Sequence, residues 1–164
     1  MTSVGFRLNG AEVAFDVTGR ETLLETLRDT AGTTGVRYCC GIGVCGTCTV
    51  LLDGLPVSSC LLLTVMVEGR EVVTAEGAGE RPTALAQRVD DAFVDAQAYQ
   101  CSYCIPAMAL SVRGLLQQDP GMDEDELKTA LGGNLCRCGS YPQVLDAVRR
   151  LVGTPGRRGG EQDG

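Results

Sequence analysis

Nine cysteines in a chain of 164 residues are the side chains most able to do chemistry. They form two groups along the sequence: Cys39, Cys40, Cys45, Cys48 and Cys60, then Cys101, Cys104, Cys136 and Cys138. Histidine is absent, which excludes Ser-His-Asp triads, Cys-His dyads, histidine-ligated zinc and histidine proton shuttles. The cysteines should therefore either form disulfides or bind a metal, and an odd number cannot pair off completely.

The compartment helps to decide between these two uses of cysteine. Residues 1–7 carry no charged segment followed by an apolar one, and the longest apolar run, residues 61–67, is too short to span a bilayer. We therefore expect a cytoplasmic protein, and in a reducing compartment clustered cysteines more often hold metal. The net charge of −7 argues against nucleic acid or an anionic membrane as the main partner.

The first group has the spacing of a known type of iron–sulfur site. Cys40-x4-Cys45-x2-Cys48-x11-Cys60 matches the C-x4-C-x2-C…C pattern of plant-type [2Fe–2S] clusters and leaves Cys39 over. Glycines within the loop, at positions 41, 43 and 46, allow tight turns that aim N–H groups at sulfur. Zinc is the alternative, although four-cysteine zinc sites usually consist of two C-x2-C pairs. The same glycines satisfy G-x-G-x-x-G, but a β pattern follows them where a nucleotide site needs a helix.

The second group, Cys101-x2-Cys104 and Cys136-x1-Cys138, is less specific. Each pair lies just before a predicted helix start, at Pro106 and Pro142. Two helix N-termini could therefore direct free N–H groups at one anionic cluster. The spacing is also compatible with zinc.

The surrounding pattern predicts an α+β chain. Alternating apolar residues around Asn9-Gly10 and Asp53-Gly54 predict two hairpins, residues 71–73 a further strand, and residues 22–28 a short helix opened by Thr22 or Glu21. Residues 75–82 have the composition of a linker. Four helices should follow, with Thr83, Pro106, the acidic run 123–126 and Ser140 or Pro142 at their starts. We place domains at 1–78 and 79–153 and expect a disordered tail at 154–164.

Three segments resemble one known family. These are residues 40–60 (CGIGVCGTCTVLLDG…SC), 100–106 (QCSYCIP) and 133–141 (GNLCRCGSY). They resemble the small iron–sulfur subunit, or domain, of the xanthine dehydrogenase/aldehyde oxidase/carbon monoxide dehydrogenase family of molybdenum hydroxylases, over residues 3 to 152. The resemblance implies an N-terminal plant-ferredoxin-like β-grasp domain followed by a C-terminal four-helix domain. Each would hold one [2Fe–2S] cluster, with ligands Cys40, Cys45, Cys48 and Cys60 in the first and Cys101, Cys104, Cys136 and Cys138 in the second.

The resemblance also implies a function. Such subunits relay single electrons from a molybdopterin centre in a large subunit to FAD in a medium subunit, or to another acceptor, within a heterotrimer that can itself dimerise. The helical-domain cluster would lie nearer molybdenum, with Gln100 and Cys138 approaching the pterin. No catalytic residue is expected on this chain. The alternatives are a free-standing ferredoxin-like electron carrier and a zinc-binding interaction module; an iron–sulfur gene regulator is disfavoured because no basic face is evident.

Three positions depart from the pattern of the family. Ser102 and Ala107 stand where it usually has glycine, so we expect both positions to avoid positive φ. Cys39 stands where it often has a small residue. We expect a spare thiol there, with Cys39 replacing Cys40 as the alternative.

Overall fold

A computed structural model of the chain describes residues 1–80 and 83–152, so the predicted tail at 154–164 lies outside the described residues. Five strands form one mixed sheet in the order β2-β1-β5-β3-β4, in which only the β1–β5 pair is parallel. The strands are β1 Thr2–Leu8, β2 Ala11–Val17, β3 Thr49–Leu52, β4 Leu55–Ser58 and β5 Glu71–Val73. Both predicted hairpins are confirmed.

The two hairpin turns have the backbone geometry that their sequences predict. Asn9 and Gly10 have φ of 54° and 83°, and Asp53 and Gly54 have φ of 49° and 84°. Two consecutive residues with positive φ produce a turn whose twist matches that of the flanking strands, and Asn-Gly and Asp-Gly tolerate it best.

The short helix after the first hairpin is more irregular than its sequence predicts. Helix α1, Leu23–Glu25, continues as a wider π-helical turn, Thr26–Thr30. Thr22 and Glu25 form a reciprocal capping box at its start. The buried Thr26 hydroxyl hydrogen-bonds with Thr64, 2.7 Å away, and the Thr26 carbonyl accepts from Ala31, five residues on. These contacts hold the helix in the wider turn.

Five further α-helices and three short 3-10 helices complete the described part of the fold. The α-helices are α2 Ala75–Glu80, α3 Ala84–Asp95, α4 Ile105–Gln118, α5 Glu124–Ala130 and α6 Tyr141–Val152, and the 3-10 helices are Ser59–Leu61, Thr64–Val67 and Leu131–Gly133. Thr83 caps α3, as predicted, and α5 begins in the predicted acidic run, whose first residue, Asp123, lies just before the helix and caps it. The Ser140 hydroxyl does not cap α6; instead the Ser140 carbonyl accepts from the Val144 N–H, 2.9 Å away.

Helix α2 occupies most of the segment that the composition predicts to be a linker. The Glu76 carboxylate accepts hydrogen bonds from the Gly35 N–H and, at 2.8 Å, from the Thr74 hydroxyl. These contacts tie the segment to the sheet half, so tertiary contacts outweigh its glycine-rich composition.

Two cores of buried side chains lie side by side, and the α+β prediction is confirmed. One core is formed by the sheet and the leucines of the first helix, and the other by helices α3 to α6. Helix α4 lies against β3 and β4 because Gly114 permits close approach: a Cβ there would come within 2.5 Å of Leu51 and 3.1 Å of the Gly54 carbonyl oxygen. Within residues 1–80 and 83–152, no helix is long and apolar enough to cross a membrane.

Candidate metal centres: two groups of thiols

Four cysteines of the first group, at positions 39, 40, 45 and 48, lie on a loop between the π-helical turn and β3, and Cys60 lies on a short 3-10 turn, Ser59–Leu61, after β4. Gly41, Gly43 and Gly46 have φ of 69°, 75° and 66°, so the loop makes three turns that other residues rarely allow. Its N–H groups consequently point inward at sulfur. Those of residues 42, 44 and 45 lie 3.4–3.5 Å from Cys40 Sγ. The Gly43 N–H lies 3.3 Å from Cys60 Sγ.

These N–H groups and burial shift the pKa values of thiols in the first group in opposite directions. Backbone N–H groups, chiefly that of Ile42, lower the pKa of Cys40 to about 6. Burial and the Cys48 thiol raise the pKa of Cys60 to about 11. The Cys40 thiol also interacts with Cys45, and Cys60 with Cys48. The structure therefore brings together the four predicted residues of the first group.

Cys39 lies at the edge of this group. It is exposed, and interaction with the Cys45 thiol raises its pKa. No backbone N–H within the described residues donates to its sulfur, whereas three donate to Cys40 Sγ. The loop thus stabilises a thiolate at position 40 and not at position 39.

The second group forms where the starts of α4 and α6 meet. The thiols interact in pairs, Cys101 with Cys138 and Cys104 with Cys136. Burial, then Cys136, raises the pKa of Cys104 to about 12. Burial also acts to raise the pKa of Cys136, but hydrogen bonding from Ser140, whose N–H lies 3.4 Å from the sulfur, lowers it to about 7.

Ser102 corrects one expectation from the sequence. Its φ is 62°, in the left-handed region that a residue replacing glycine was expected to avoid. This conformation lets the next N–H, that of Tyr103, lower the pKa of the Cys101 thiol. Ala107 lies buried inside α4, within its helical backbone, so only the serine position carries the strain.

The pairwise arrangement favours a centre with two metal ions. Within the two predicted ligand sets, hydrogen bonding joins the thiols in pairs, Cys40 with Cys45, Cys48 with Cys60, Cys101 with Cys138 and Cys104 with Cys136, and electrostatic interactions also link one pair to the other. Two thiols for each of two irons is the donor set of a [2Fe–2S] cluster, so the residues present fit that group.

Hydrogen bonds join the two cysteine groups across the boundary between the two cores. The Leu135 N–H donates to the Cys45 carbonyl at 2.9 Å, and the buried Asn134 amide donates to the Gly46 carbonyl at 3.0 Å. A Cβ on Gly46 would overlap the Gly133 carbonyl oxygen and lie 2.6 Å from Asn134 Nδ2. The absence of a side chain at Gly46 therefore allows the two cysteine loops to touch.

A second set of contacts, between the loops and within the second one, involves side chains that the cysteine spacing does not reveal. The Tyr103 hydroxyl donates to the Tyr38 carbonyl at 2.6 Å, and the Arg37 guanidinium lies over the Tyr103 ring, 5.1 Å from its centroid. The Tyr141 hydroxyl accepts from the Cys136 N–H at 2.8 Å. Their closeness to the cysteines in the sequence could have indicated these residues, because each lies within three residues of a cysteine pair.

Known families match the same two regions. A model described as 2Fe-2S iron-sulfur cluster binding domain matches residues 6–76, and one described as [2Fe-2S] binding domain matches residues 74–149. The chain is 36% identical over 152 residues to "Nicotinate dehydrogenase small FeS subunit" of Eubacterium barkeri, a match that covers 92% of this chain and 94% of the relative. It belongs to the small [2Fe–2S] subunits of the molybdenum hydroxylases.

Two more members of the molybdenum hydroxylase family show how this small subunit occurs. The crystal structure of quinoline 2-oxidoreductase from Pseudomonas putida 86 superposes with a TM-score of 0.83 at 35% identity, over 92% of this chain and 93% of that chain. "Xanthine dehydrogenase" of Emericella nidulans is 35% identical over 163 residues, which are 92% of this chain but 12% of the relative. The region thus occurs as a subunit or within a much longer chain. This small subunit transfers electrons within an oxidoreductase assembled with partner subunits.

One edge of the second thiol group in this small subunit is open to solvent. The Gln100 amide donates to the Cys138 carbonyl at 3.0 Å, and both residues are exposed, as is Cys101. The sequence resemblance assigns Gln100 and Cys138 to the pterin side, and the structure places them together at this edge.

Proposed function

We propose that this chain relays single electrons from a molybdopterin centre on a large partner subunit, through two [2Fe–2S] clusters, to FAD on a medium subunit or to another acceptor. The observation that carries the proposal is the contact between the two four-thiol groups. A single hydrogen bond, from the Leu135 N–H to the Cys45 carbonyl, links the residue before Cys136 to a cysteine of the first group. A relay needs its two centres to be close and rigidly connected.

We assign the ligands of the two clusters to the two groups of four: Cys40, Cys45, Cys48 and Cys60, then Cys101, Cys104, Cys136 and Cys138. When bound, each cluster accepts and releases one electron. The chain supplies thiolates and the N–H groups that stabilise them, and three such groups converge on Cys40 Sγ alone. Hydrogen bonds to sulfur favour the reduced, more negative form of a cluster.

The fold assignment behind this function has two parts. We assign residues 1–78 to a plant-ferredoxin-like β-grasp domain and residues 79–153 to a four-helix [2Fe–2S]-binding domain. The two family-model matches, at 6–76 and 74–149, support this division. We also infer a cytoplasmic location, since a reducing compartment keeps clustered thiols available for metal.

We further propose that Gln100 and Cys138 face the pterin of the large subunit. Their support is shared exposure and the hydrogen bond between them, which fixes the Gln100 side chain at the edge of the second thiol group. A simpler role for the amide is to satisfy the Cys138 carbonyl. Gln100→Glu removes the amide donor and separates the two roles. If Gln100 contacts the pterin, a variant that retains both clusters should be reduced more slowly by substrate, while its reduction by dithionite should stay unchanged.

The test of the proposed function is native purification followed by metal and flavin analysis. We expect the chain to copurify with a molybdenum-containing large subunit, together with a flavin-containing medium subunit, in a heterotrimer or its dimer. This chain should contribute about four iron and four sulfide, with two distinct EPR signals on reduction. An isolated chain free of molybdenum would instead indicate a free-standing carrier, and a colourless zinc protein would contradict both.

A further inference from the structure

Arg37 forms no ion pair with any of the side chains that the structure describes. It is half-buried, and its Nε is fully buried without a hydrogen-bond partner. No carboxylate among the described side chains of residues 1–77 and 83–152 lies within 4.0 Å of its guanidinium, which contacts the Tyr103 ring face instead. A cation taken partly out of water without a compensating charge costs free energy, so its position requires an explanation.

The nearby carboxylate does not supply one. Glu76 is within electrostatic range of Arg37, but that attraction is the weakest of the influences on the Glu76 pKa. Its oxygens accept from the Gly35 N–H and the Thr74 hydroxyl instead. Glu76 therefore anchors the loop and leaves the guanidinium unpaired.

The position of Arg37 between the two cysteine loops is well defined. Its backbone N–H donates to the Thr47 carbonyl at 3.3 Å, inside the first loop, and Cys40 follows three residues later. Its guanidinium lies over Tyr103, which stands between Cys101 and Cys104. The Tyr103 hydroxyl is bonded to the Tyr38 carbonyl, next to Arg37 in the sequence. The guanidinium is therefore held where the two cysteine loops meet.

We propose that Arg37 is a fixed positive charge shared by both [2Fe–2S] clusters, and that it raises the reduction potential of each. The proposal rests on the proposed function, since it needs both clusters to be present. Reduction adds one electron and no proton to an anionic cluster, so a cation in a region of low dielectric stabilises the reduced form more than the oxidised form. The clusters in turn supply the negative charge that Arg37 lacks.

The experiment is a reductive titration of the assembled complex, followed by EPR, on four proteins: wild type, Arg37→Gln, Arg37→Lys and Arg20→Gln. Arg20 is exposed on the sheet half and lies away from the cysteine loops, so Arg20→Gln makes the same charge change as a control. Arg37→Gln should lower the midpoint potentials of both clusters, with about four iron per chain retained. Arg37→Lys and Arg20→Gln should keep both potentials near those of the wild type.

Each outcome decides the proposal. Unchanged potentials in an Arg37→Gln protein that keeps both EPR signals would overturn it. If Arg37→Gln loses a cluster, the Arg37→Lys protein provides the test. Lowered midpoint potentials in Arg37→Lys, which retains the charge, would show that the contact with Tyr103 matters and the charge does not. Absence of one EPR signal in the wild type would instead contradict the two-cluster function itself.

Discussion

Cys39 and Cys40 are neighbours whose sulfur atoms have different surroundings. Three backbone N–H groups converge on Cys40 Sγ and lower its pKa to about 6, while Cys39 is exposed and its pKa is raised by Cys45. Because N–H donors stabilise and orient a sulfur ligand, and only the Cys40 sulfur of these two receives them, the loop is built for Cys40.

Serine substitution at each position should show this difference. Cys39→Ser is expected to keep about four iron per chain, and Cys40→Ser to lose about half of it together with one EPR signal. Iron analysis and EPR of the purified variants provide the measurement. Loss of iron in Cys39→Ser alone would reverse the ligand assignment.

Ser102 carries local backbone strain. Its φ of 62° is unfavourable for a residue with a Cβ. Ser102→Gly should therefore stabilise the second thiol group, by about 0.5–1 kcal/mol, since the strain relieved exceeds the added freedom of the unfolded chain. Ser102→Val should destabilise it by at least about 1 kcal/mol.

The stability of both Ser102 variants can be measured by the temperature at which their visible absorbance is lost. The glycine variant should bleach at a higher temperature than the wild type, and the valine variant at a lower one. If the glycine and valine variants bleached at the same temperature, φ at this position would not be the source of strain.

At the scale of elements, the contact between the loops depends on Asn134 and Gly46. Asn134→Ala removes the hydrogen bond to the Gly46 carbonyl and leaves a small buried void. We expect a cost of about 1–2 kcal/mol, or a melting temperature lower by roughly 2–8 °C. Ser111→Ala is the control, because its hydroxyl reaches Asn134 only at 3.4 Å and should cost less.

Gly46→Ala tests the same contact from the other side. The added Cβ would overlap the Gly133 carbonyl oxygen on a backbone with φ of 66°. We expect the two loops to separate and electron transfer between the clusters to slow in rapid-reaction measurements. Retention of the wild-type rate would show that the contact through Leu135 and Cys45 is not part of the route.

Glu76 in helix α2 gives the sheet half a pH dependence. Burial acts to raise its pKa, but hydrogen bonds from the Gly35 N–H and the Thr74 hydroxyl lower it below the usual 4.5. A carboxylate with a lowered folded-state pKa stabilises the fold above its unfolded pKa, and this contribution is lost as pH falls through the folded-state value. Glu76→Gln should therefore have a lower melting temperature than the wild type at pH 7. The difference in melting temperature between the two proteins should become smaller in acid. Glu12→Gln, on exposed strand β2, is the control.

The sequence predicts the elements whose signals are local. Asn9-Gly10 and Asp53-Gly54 predict the hairpins, Thr83 and Asp123 the helix starts, and the cysteine spacing the two groups of thiols. It could not predict helix α2, because Glu76 meets Gly35 from 41 residues away. Nor could it predict φ at Ser102, or the contact of Arg37 with Tyr103, because both depend on how two distant loops meet.

At the scale of the whole molecule, the surface near the first thiol group is more apolar than the net charge of −7 suggests. Ile42, Val44 and Leu61 are exposed by 68%, 56% and 65%. Exposed apolar side chains grouped around a redox site are typical of a surface that a permanent partner covers.

Ile42→Asp should therefore reduce copurification with the partner subunits while leaving iron content unchanged. Leu55→Asp makes the same change at the β3–β4 hairpin, where 53% of the side chain is exposed, and should leave assembly intact. Pull-down through a tagged chain measures both variants. Equal recovery of partners by the two would place the interface elsewhere.

The anchoring of the first cysteine loop by Glu76 has a consequence for protein engineering. The last strand of the sheet ends at Val73, but the carboxylate that ties down Gly35 lies three residues later, in a helix leading toward the other core. A chimera that exchanged the amino-terminal half with that of a relative should therefore be joined after residue 76. A junction at the end of the sheet would pair the donor's loop with the recipient's anchor, and the fit between them would then limit which halves can be recombined.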